Sequence, residues 1–543
     1  MARLIVLGWD SATFDIVDPM IAAGRLPALA ALQDRGFRAP LRSTWPPMTD
    51  CAWTGAFTGR NAGGHGIFGS WYRAPGAYAC RYFSSRDRRA PALWEMTDGV
   101  RHLVWNIPMT FPATGVDGVM VAGYGAPPGS SFAEPHSFQE RLAEKWPLDD
   151  LLDRAPHSSL ERFLDDLLRG LAAQAEALPW AIRESGADSV VAVWPHVDRA
   201  QHFFWRFRGT DHPLAEGIER VYEAMDAATG AVAEAFPDAD VLVVSDHGAG
   251  PLKGDVNVGA WLAGEGRAVP SGAGPKRGLA GVAWALPPSV RRIGRRFAPG
   301  LARRAMSARL AGQLGSFDWS KTQAFLGFHS DLWLNLAGRE PNGTVTESDA
   351  DAVLEEIAAG LLALRDPDTD EPVFAAAHRR AEVFTGAHAG LAPDLILDSW
   401  SAGYRVAPAR EPEGPIVIPP APLAGVDAAW SSDHRPVGIF VGAGPRIATG
   451  SLPGVARQAA AHATPGAELS LLDLCPTALA LLGQAVPEDL DGRTATEAID
   501  PGYLAGNPIR SGGTTGGRDA SAEYSDGEAA AVAAHLKDLG YIE

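Results

Sequence analysis

Cysteine is scarce in this chain. Cys51, Cys80 and Cys475 are the three in 543 residues, too few and too scattered for a disulfide framework or a cysteine-rich zinc site. A reducing compartment is the expectation. Long apolar runs are missing as well, since none reaches the roughly 20 residues needed to span a bilayer. The opening, Met1-Ala2-Arg3 followed by six strand-like apolar residues and Asp10, is too short for a signal-peptide core, so the expected location is cytoplasmic. Basic residues fall short of acidic ones, 47 against 65, for a formal charge of -18. Such a field argues against nucleic acid or an anionic membrane as a partner of the whole surface. An anionic substrate would need a local source of positive charge, which bound metal ions can supply. There is no internal repeat.

What the chain does have is an alternation of short β-branched runs with longer amphipathic segments. That pattern predicts an α/β fold, a mostly parallel central sheet with helices on both faces. Strands are predicted at Leu4–Trp9, Leu103–Ile107, Ser189–Trp194, Val241–Ser245 and Gly438–Val441. Helices are predicted at Ala22–Arg35, Ser159–Glu184, Leu214–Phe236 and Asp349–Leu364, where apolar residues recur three and four apart. The expected organisation is a catalytic domain in two parts, 1–252 and 326–505, interrupted by an insertion or cap at 253–325. A strap and helix follow at 506–543. The strap, Ile509 to Asp519, is rich in Gly, Ser and Thr and reads as loose surface chain before a last helix, Asp526–Leu539.

Acidic residues vanish between Glu265 and Asp318, where Arg291, Arg292, Arg295, Arg296, Arg303, Arg304 and Arg309 reverse the local sign. The plainer reading is a helical insertion whose arginines are solvated or pair with the acidic body. The functional reading is a lid that attracts an anionic substrate, or a peripheral membrane contact through residues 276–309.

Several residues carry metal-site chemistry. Asp198 and His202 lie four apart just after a predicted strand, so they share one helical face and can close on a single ion. A helix-start cap with a core histidine is the rival reading. Asp246-His247 follows the run Val241 to Ser245 and precedes Gly248-Ala249-Gly250, whose glycines permit a tight turn in which both side chains converge. Asp10 ends the first strand, and is by itself equally an exposed loop carboxylate or a buried ligand.

Together with Trp45-Pro46-Pro47-Met48-Thr49-Asp50-Cys51, Thr58-Gly59-Arg60-Asn61 and His65-Gly66-Ile67, these motifs resemble the type I phosphodiesterase/nucleotide pyrophosphatase branch of the alkaline phosphatase superfamily. Asn106 to Pro112, Asn335 with Gly338 to Pro341, Pro393-Asp394-Leu395 and Leu539-Gly540-Tyr541 are similar to a large prokaryotic group of predicted phosphohydrolases and phosphomutases within it. The resemblance implies an alkaline-phosphatase-like fold with a helical insertion or cap. It also implies two divalent metal ions, zinc first and manganese as the alternative. Asp198, His202 and His434 would hold one ion; Asp10, Asp246, His247 and the Thr49 oxygen would hold the other. Thr49 would be the nucleophile, since the family spacing counted back from Thr58 lands there and not on Thr44. His434 is preferred to His378 and His388 because it leads into a strand like the family's last one. His65 matches a family motif as a loop-positioning residue. Cys51 lacks the sulfatase pattern and reads as a packed residue. The asparagine that holds a phosphoryl oxygen in nucleotide pyrophosphatases is absent from Asp50 to Gly55, and Asn106, Arg60 or Arg199 could replace it.

The function implied is hydrolysis of small phosphorylated substrates, with phosphodiesters preferred. A monoesterase or phosphomutase, a phosphoryl transferase, and a non-catalytic module for phosphate headgroups are the other readings.

Overall fold

The computed structural model describes residues 2–518 apart from 74–75, 79, 124, 128, 149–158, 272–316, 328–329, 408–413, 421–429 and 453–467. The arginine-rich 276–309 segment and the helix expected at Asp526–Leu539 lie outside the described residues. Among the described residues no helix is long and apolar enough to cross a membrane.

The chain enters the structure through β1 (Leu4–Trp9), buried along its whole length. A strand covered on both faces reads as a continuous apolar run, not an alternating one. Helix α1 (Phe14–Ala22) was not expected and ends on the first residue of the helix expected at Ala22–Arg35, of which α2 (Pro27–Asp34) fills the later part. Gly24 at φ 72° and Pro27 at the first turn of α2 break the apolar periodicity that suggested continuity.

Next come β2 (Phe37–Arg42), α3 (Thr49–Thr58) and a hairpin of β3 (Trp71–Arg73) and β4 (Cys80–Tyr82). Strands β5 (His102–Trp105), β6 (Gly118–Val121) and β7 (Ala133–Glu134) lead to the long helix α4 (Leu160–Ser185). Then follow β8 (Ser189–Trp194), α5 (His196–Phe204), α6 (Gly217–Ala235), β9 (Asp240–Val244) and β10 (Gly248–Pro251).

A second, antiparallel sheet contains β11 (Ala324–Leu326), β12 (Asp331–Leu334), β13 (Ala376–Arg379) and β14 (Leu395–Asp398), in the order β11-β12-β14-β13. Helix α7 (Glu347–Leu362) supplies Ile357 and Leu361 to its core. The chain returns through β15 (Ser432–Arg435), β16 (Val437–Ala443), β17 (Gly450–Ser451), β18 (Leu469–Ser470) and α8 (Leu474–Leu481).

The main sheet has ten strands, ordered β17-β2-β16-β9-β1-β8-β5-β6-β7 with β18 also pairing β2. Strands β9, β1, β8, β5 and β6 run parallel; β16 and β7 run against them. The pleat sends Ile5, Leu7 and Trp9 into one core, with α1, α2, α4 and α6, and Leu4 and Val6 into the other, with α3 and α8. Helices therefore cover both faces. The carboxyl ends of β1, β5, β8 and β9 lie along one edge, where open α/β sheets place their chemistry. The strap expected to be loose is pinned over its described part: Thr515 N–H donates to Asp489 Oδ1 (3.0 Å) and Arg518 N–H to the Arg89 carbonyl (2.9 Å).

Candidate metal centre and nucleophile

Asp198 and His202, in α5, meet His434 in β15, and their ligand atoms lie within 4.8 Å of one another. His202 Nε2 is 3.1 Å from Asp198 Oδ1 and 3.2 Å from His434 Nε2. Asp10, Asp246 and His247 form a second buried triad, with His247 Nε2 3.2 Å from Asp246 and 3.7 Å from Asp10. The register of β10 against β15 sets Ala249 opposite His434, which joins the two triads.

The three imidazoles share one arrangement. His202 Nδ1 lies 2.9 Å from the Ser432 carbonyl, His434 Nδ1 2.9 Å from that of Pro47, and His247 Nδ1 3.1 Å from that of Gly248. These partners assign the proton to Nδ1 and turn Nε2 toward the carboxylates, the tautomer a metal-ligating histidine adopts. Asp10 Oδ1, both carboxylate oxygens of Asp198 and Asp246 Oδ2 are buried without a hydrogen-bond partner. Buried carboxylate oxygens left unpaired are costly, and a cation among them satisfies them. The donor set, imidazole nitrogen with carboxylate oxygen and no thiolate, fits divalent zinc.

Electrostatics agree with that fit. Burial, reinforced by the Asp198 charge, pushes Asp10 up to about 8. Burial and then Asp10 hold Asp246 well above the carboxylate range. Burial also opposes charge on Asp198, but His202 outweighs it and keeps that carboxyl well below its ordinary value. In the same way burial would lower His434, yet Asp198 holds it up to about 9. Converging acids and bases of this kind mark a functional site more often than a structural one.

Local backbone explains how Asp10 and Asp246 are aimed. Ser11, next after Asp10, sits at φ 67°, a left-handed turn that few non-glycine residues adopt. It is fixed by its N–H to Asp246 Oδ1 (3.2 Å) and by Gln201 Nε2, which donates to its carbonyl (2.9 Å). Trp53 Nε1 donates to Asp10 Oδ2 at 3.0 Å. Trp430 stacks on His202, with centroids 3.7 Å apart. None of these supporting residues was named from sequence. Trp53 had a signal, being four residues past Thr49 on the same helix; Ser11 and Trp430 had none.

Thr49 opens α3, where Met48 provides no side-chain cap, so the first-turn N–H groups are left to face a ligand. Its Oγ1 is 3.4 Å from His247 Nε2, while the Pro47 carbonyl just upstream is held by His434. The loop thus touches both triads. Thr44 is engaged elsewhere, its hydroxyl donating to the Pro46 carbonyl (3.1 Å). Cys51 is packed in the core and burial pushes its thiol up to about 12. His65 is buried, accepts from the Ile67 N–H (3.1 Å), and is pushed down to about 3 by burial and then by Arg88.

The residues expected to contact substrate are placed differently. Asn106 Nδ2 donates to the Val193 carbonyl (3.1 Å), tying the ends of β5 and β8 together. Arg199 is buried with its guanidinium 4.8 Å from the Phe163 ring centre. Arg60 pairs with Asp489. Among the described residues no contact joins any of the three to Thr49. His378 packs against Trp45 in the second sheet (4.6 Å), and His388 bonds through its backbone to Gly63. Neither enters a triad.

Among solved structures the chain is similar to phosphonoacetate hydrolase from Sinorhizobium meliloti 1021 in complex with phosphonoformate. The TM-score is 0.52 and the identity 16%, over 87% of this chain and 94% of that one. The same enzyme in complex with phosphonoacetate matches with the same figures. Human ectonucleotide pyrophosphatase/phosphodiesterase 5 matches with a TM-score of 0.48 and 12% identity, over 92% of this chain and 100% of that one. No curated protein matches. The first likeness shows the fold, which is alkaline-phosphatase-like. The family model for type I phosphodiesterase/nucleotide pyrophosphatase matches residues 4–421, a span that holds every triad residue but His434. With two carboxylate-imidazole triads beside a helix-start threonine, and that match over most of its length, the chain belongs to the type I phosphodiesterase/nucleotide pyrophosphatase family of phosphoester hydrolases.

Proposed function

We propose that this protein hydrolyses phosphodiesters with Thr49 as nucleophile. Asp198, His202 and His434 would hold one divalent ion and Asp10, Asp246, His247 and Thr49 Oγ1 the other, zinc being favoured and manganese the alternative. The observation that carries the reading is the position of Thr49 Oγ1, 3.4 Å from His247 Nε2, at an uncapped helix start whose loop also touches His434. When bound, two divalent ions supply Lewis acidity that favours the threonine alkoxide and offsets charge on the phosphoryl oxygens.

Thr49 Oγ forms a bond to phosphorus as the bond from phosphorus to the leaving alcohol breaks, and the hydroxyl proton leaves with that alcohol. Water then cleaves the phosphothreonine, releasing the monoester and restoring the hydroxyl. The first-turn N–H groups of α3 donate to the phosphoryl oxygens throughout.

Charge supports diesters over monoesters. Three carboxylates and one alkoxide against two divalent ions leave a near-neutral site that suits a monoanion. Arg435, next to the ligand His434, is occupied elsewhere, donating to the carbonyls of Asp433, His434 and Pro251. A dianionic monoester gains no fixed guanidinium from Arg435.

The test compares turnover of bis-p-nitrophenyl phosphate and p-nitrophenyl phosphate by the zinc- or manganese-loaded protein and by Thr49→Ala. Diester turnover that falls by about 10³ or more in the variant is expected. Preference for the monoester would move the assignment to a phosphatase or mutase, and transfer to an added alcohol in place of water would make it a transferase.

A further inference from the structure

Gln201 lies one residue before His202 on α5, and that step of about 100° round the helix points it to a different neighbour. It is fully buried, as are Ser11 and Tyr222. Its carboxamide joins two other elements: Nε2 donates to the Ser11 carbonyl (2.9 Å) just past β1, and Oε1 accepts from the Tyr222 hydroxyl of α6 (3.4 Å).

The direction of each bond is forced. The Ser11 carbonyl can only accept, so Nε2 must face it and Oε1 must face Tyr222; a flipped amide would set two acceptors against each other. Tyr222 gives its proton to Oε1 and accepts from the Thr13 N–H (3.2 Å) at the start of α1.

Ser11 is where this chain of bonds meets the metal centre. It follows Asp10, its N–H donates to Asp246 Oδ1 (3.2 Å), and its hydroxyl donates to the Gly248 carbonyl (3.3 Å), which lies 3.1 Å from His247 Nδ1. One residue is thus linked to every member of the Asp10, Asp246 and His247 triad. Its left-handed backbone, φ 67°, is costly for a residue other than glycine and persists only where neighbours over-determine it. Gln201 supplies the neighbour on the carbonyl side.

We propose that Gln201 is a positioning residue for the ion of the Asp10, Asp246 and His247 triad, with Tyr222 as its outer support. Although Gln201 stands between Asp198 and His202 in the sequence, it acts on the other ion. It does so by holding the Ser11 turn at the backbone angle that aims Asp10 and Asp246 at one point. The assignment rests on the two-ion reading.

The test follows one ion at a time in full-length chains, by zinc competition against a chromophoric chelator. His434→Ala keeps the Asp10, Asp246 and His247 triad, and Asp246→Ala keeps the other. Gln201→Met preserves the length of the side chain and removes both hydrogen bonds. It is expected to weaken zinc about tenfold or more in the His434→Ala chain and less than about threefold in the Asp246→Ala chain. Tyr222→Phe, which removes only the hydroxyl, is expected to weaken the same ion about threefold. Visible absorption of the cobalt-loaded His434→Ala chain should also change with Gln201→Met, because its bands follow ligand geometry and not fold stability. Thermal melting checks folding, and Tyr222→Phe carries the comparison where Gln201→Met does not fold. Equal weakening of both ions, weakening confined to the Asp198, His202 and His434 triad, or unchanged zinc affinity in the His434→Ala chain would overturn the assignment. A His434→Ala chain that binds no ion at all would overturn the two-ion reading itself, and this assignment with it.

Discussion

The imidazole rings of His247 and His434 lie nearly parallel, with centroids 3.8 Å apart and planes 20° apart. The contact is a product of the short β10–β15 ribbon, not of the main sheet. His247 is placed by the turn after β9, whereas His434 arrives from a separate return of the chain. The triad of Asp198, His202 and His434 therefore depends on the ribbon holding its register. Gly248 makes the approach possible, because a Cβ there would lie 2.2 Å from the Val437 carbonyl oxygen.

His434→Ala should leave one triad intact and dismantle the other. After dialysis against dilute zinc, the parent protein is expected to retain about two ions per chain and the variant about one. Elemental analysis by mass spectrometry decides it. A variant that keeps both ions would remove His434 from the ligand set.

Trp53 fixes Asp10 through one hydrogen bond, so Trp53→Phe separates that bond from the packing of the ring. The expected loss is about ten- to a hundredfold in zinc affinity with little change in melting temperature, the behaviour of a group that orients a ligand. Gly8→Ala should act on the same pair by crowding, since its Cβ would come within 2.5 Å of the Trp53 ring and 2.7 Å of Val193. That variant is expected to lose about 1–3 kcal/mol of stability, measured by denaturant titration, along with zinc affinity. Unchanged affinity in Trp53→Phe would mean that Asp10 is positioned by other contacts.

Trp430 covers the face of His202, and Arg206 donates to its carbonyl at 3.1 Å. An indole stacked on a ligand should report occupation of that ligand. Zinc titration of the metal-free protein is expected to change tryptophan emission, and the change should shrink in Trp430→Phe while affinity is kept. Trp430→Ala, which frees the imidazole, should weaken zinc about tenfold. Identical emission changes in parent and Trp430→Phe would show that another tryptophan carries the signal.

How much of this was legible in the sequence follows from how local each feature is. β1 and β8 fall on their expected residues because burial on both faces leaves an uninterrupted apolar run that turn residues bound sharply. The helix expected over Ala22–Arg35 starts late, at Pro27, because apolar spacing runs on through Gly24, where only the left-handed backbone reveals the break. Asp198 with His202, and Asp246 with His247, sit in short motifs whose spacing carries meaning, and the structure draws both pairs into triads. Arg199 and Asn106 sit beside such motifs, and the contacts they make with Phe163 and Val193 are with neighbours that no short sequence window contains.

Arg435 is the last test of how far the site depends on the ribbon. Its guanidinium is buried, donates to the carbonyls of Asp433, His434 and Pro251, and lies so close to Gly250 that a Cβ there would be 2.7 Å from Nε. A lysine has a single ammonium at the end of a flexible stem and cannot reproduce a planar fork shared among three carbonyls. Arg435→Lys should therefore cost about 2 kcal/mol of stability, because buried carbonyls lose charged donors. Since two of those carbonyls flank the His434 imidazole along the chain, the same variant should also lose zinc from the Asp198, His202 and His434 triad before it loses the other ion. Denaturant unfolding and zinc content measured on one preparation separate the outcomes. A destabilised protein with both ions retained would make Arg435 a fold element alone, whereas loss of one ion at modest cost in stability would tie the guanidinium to the placement of His434.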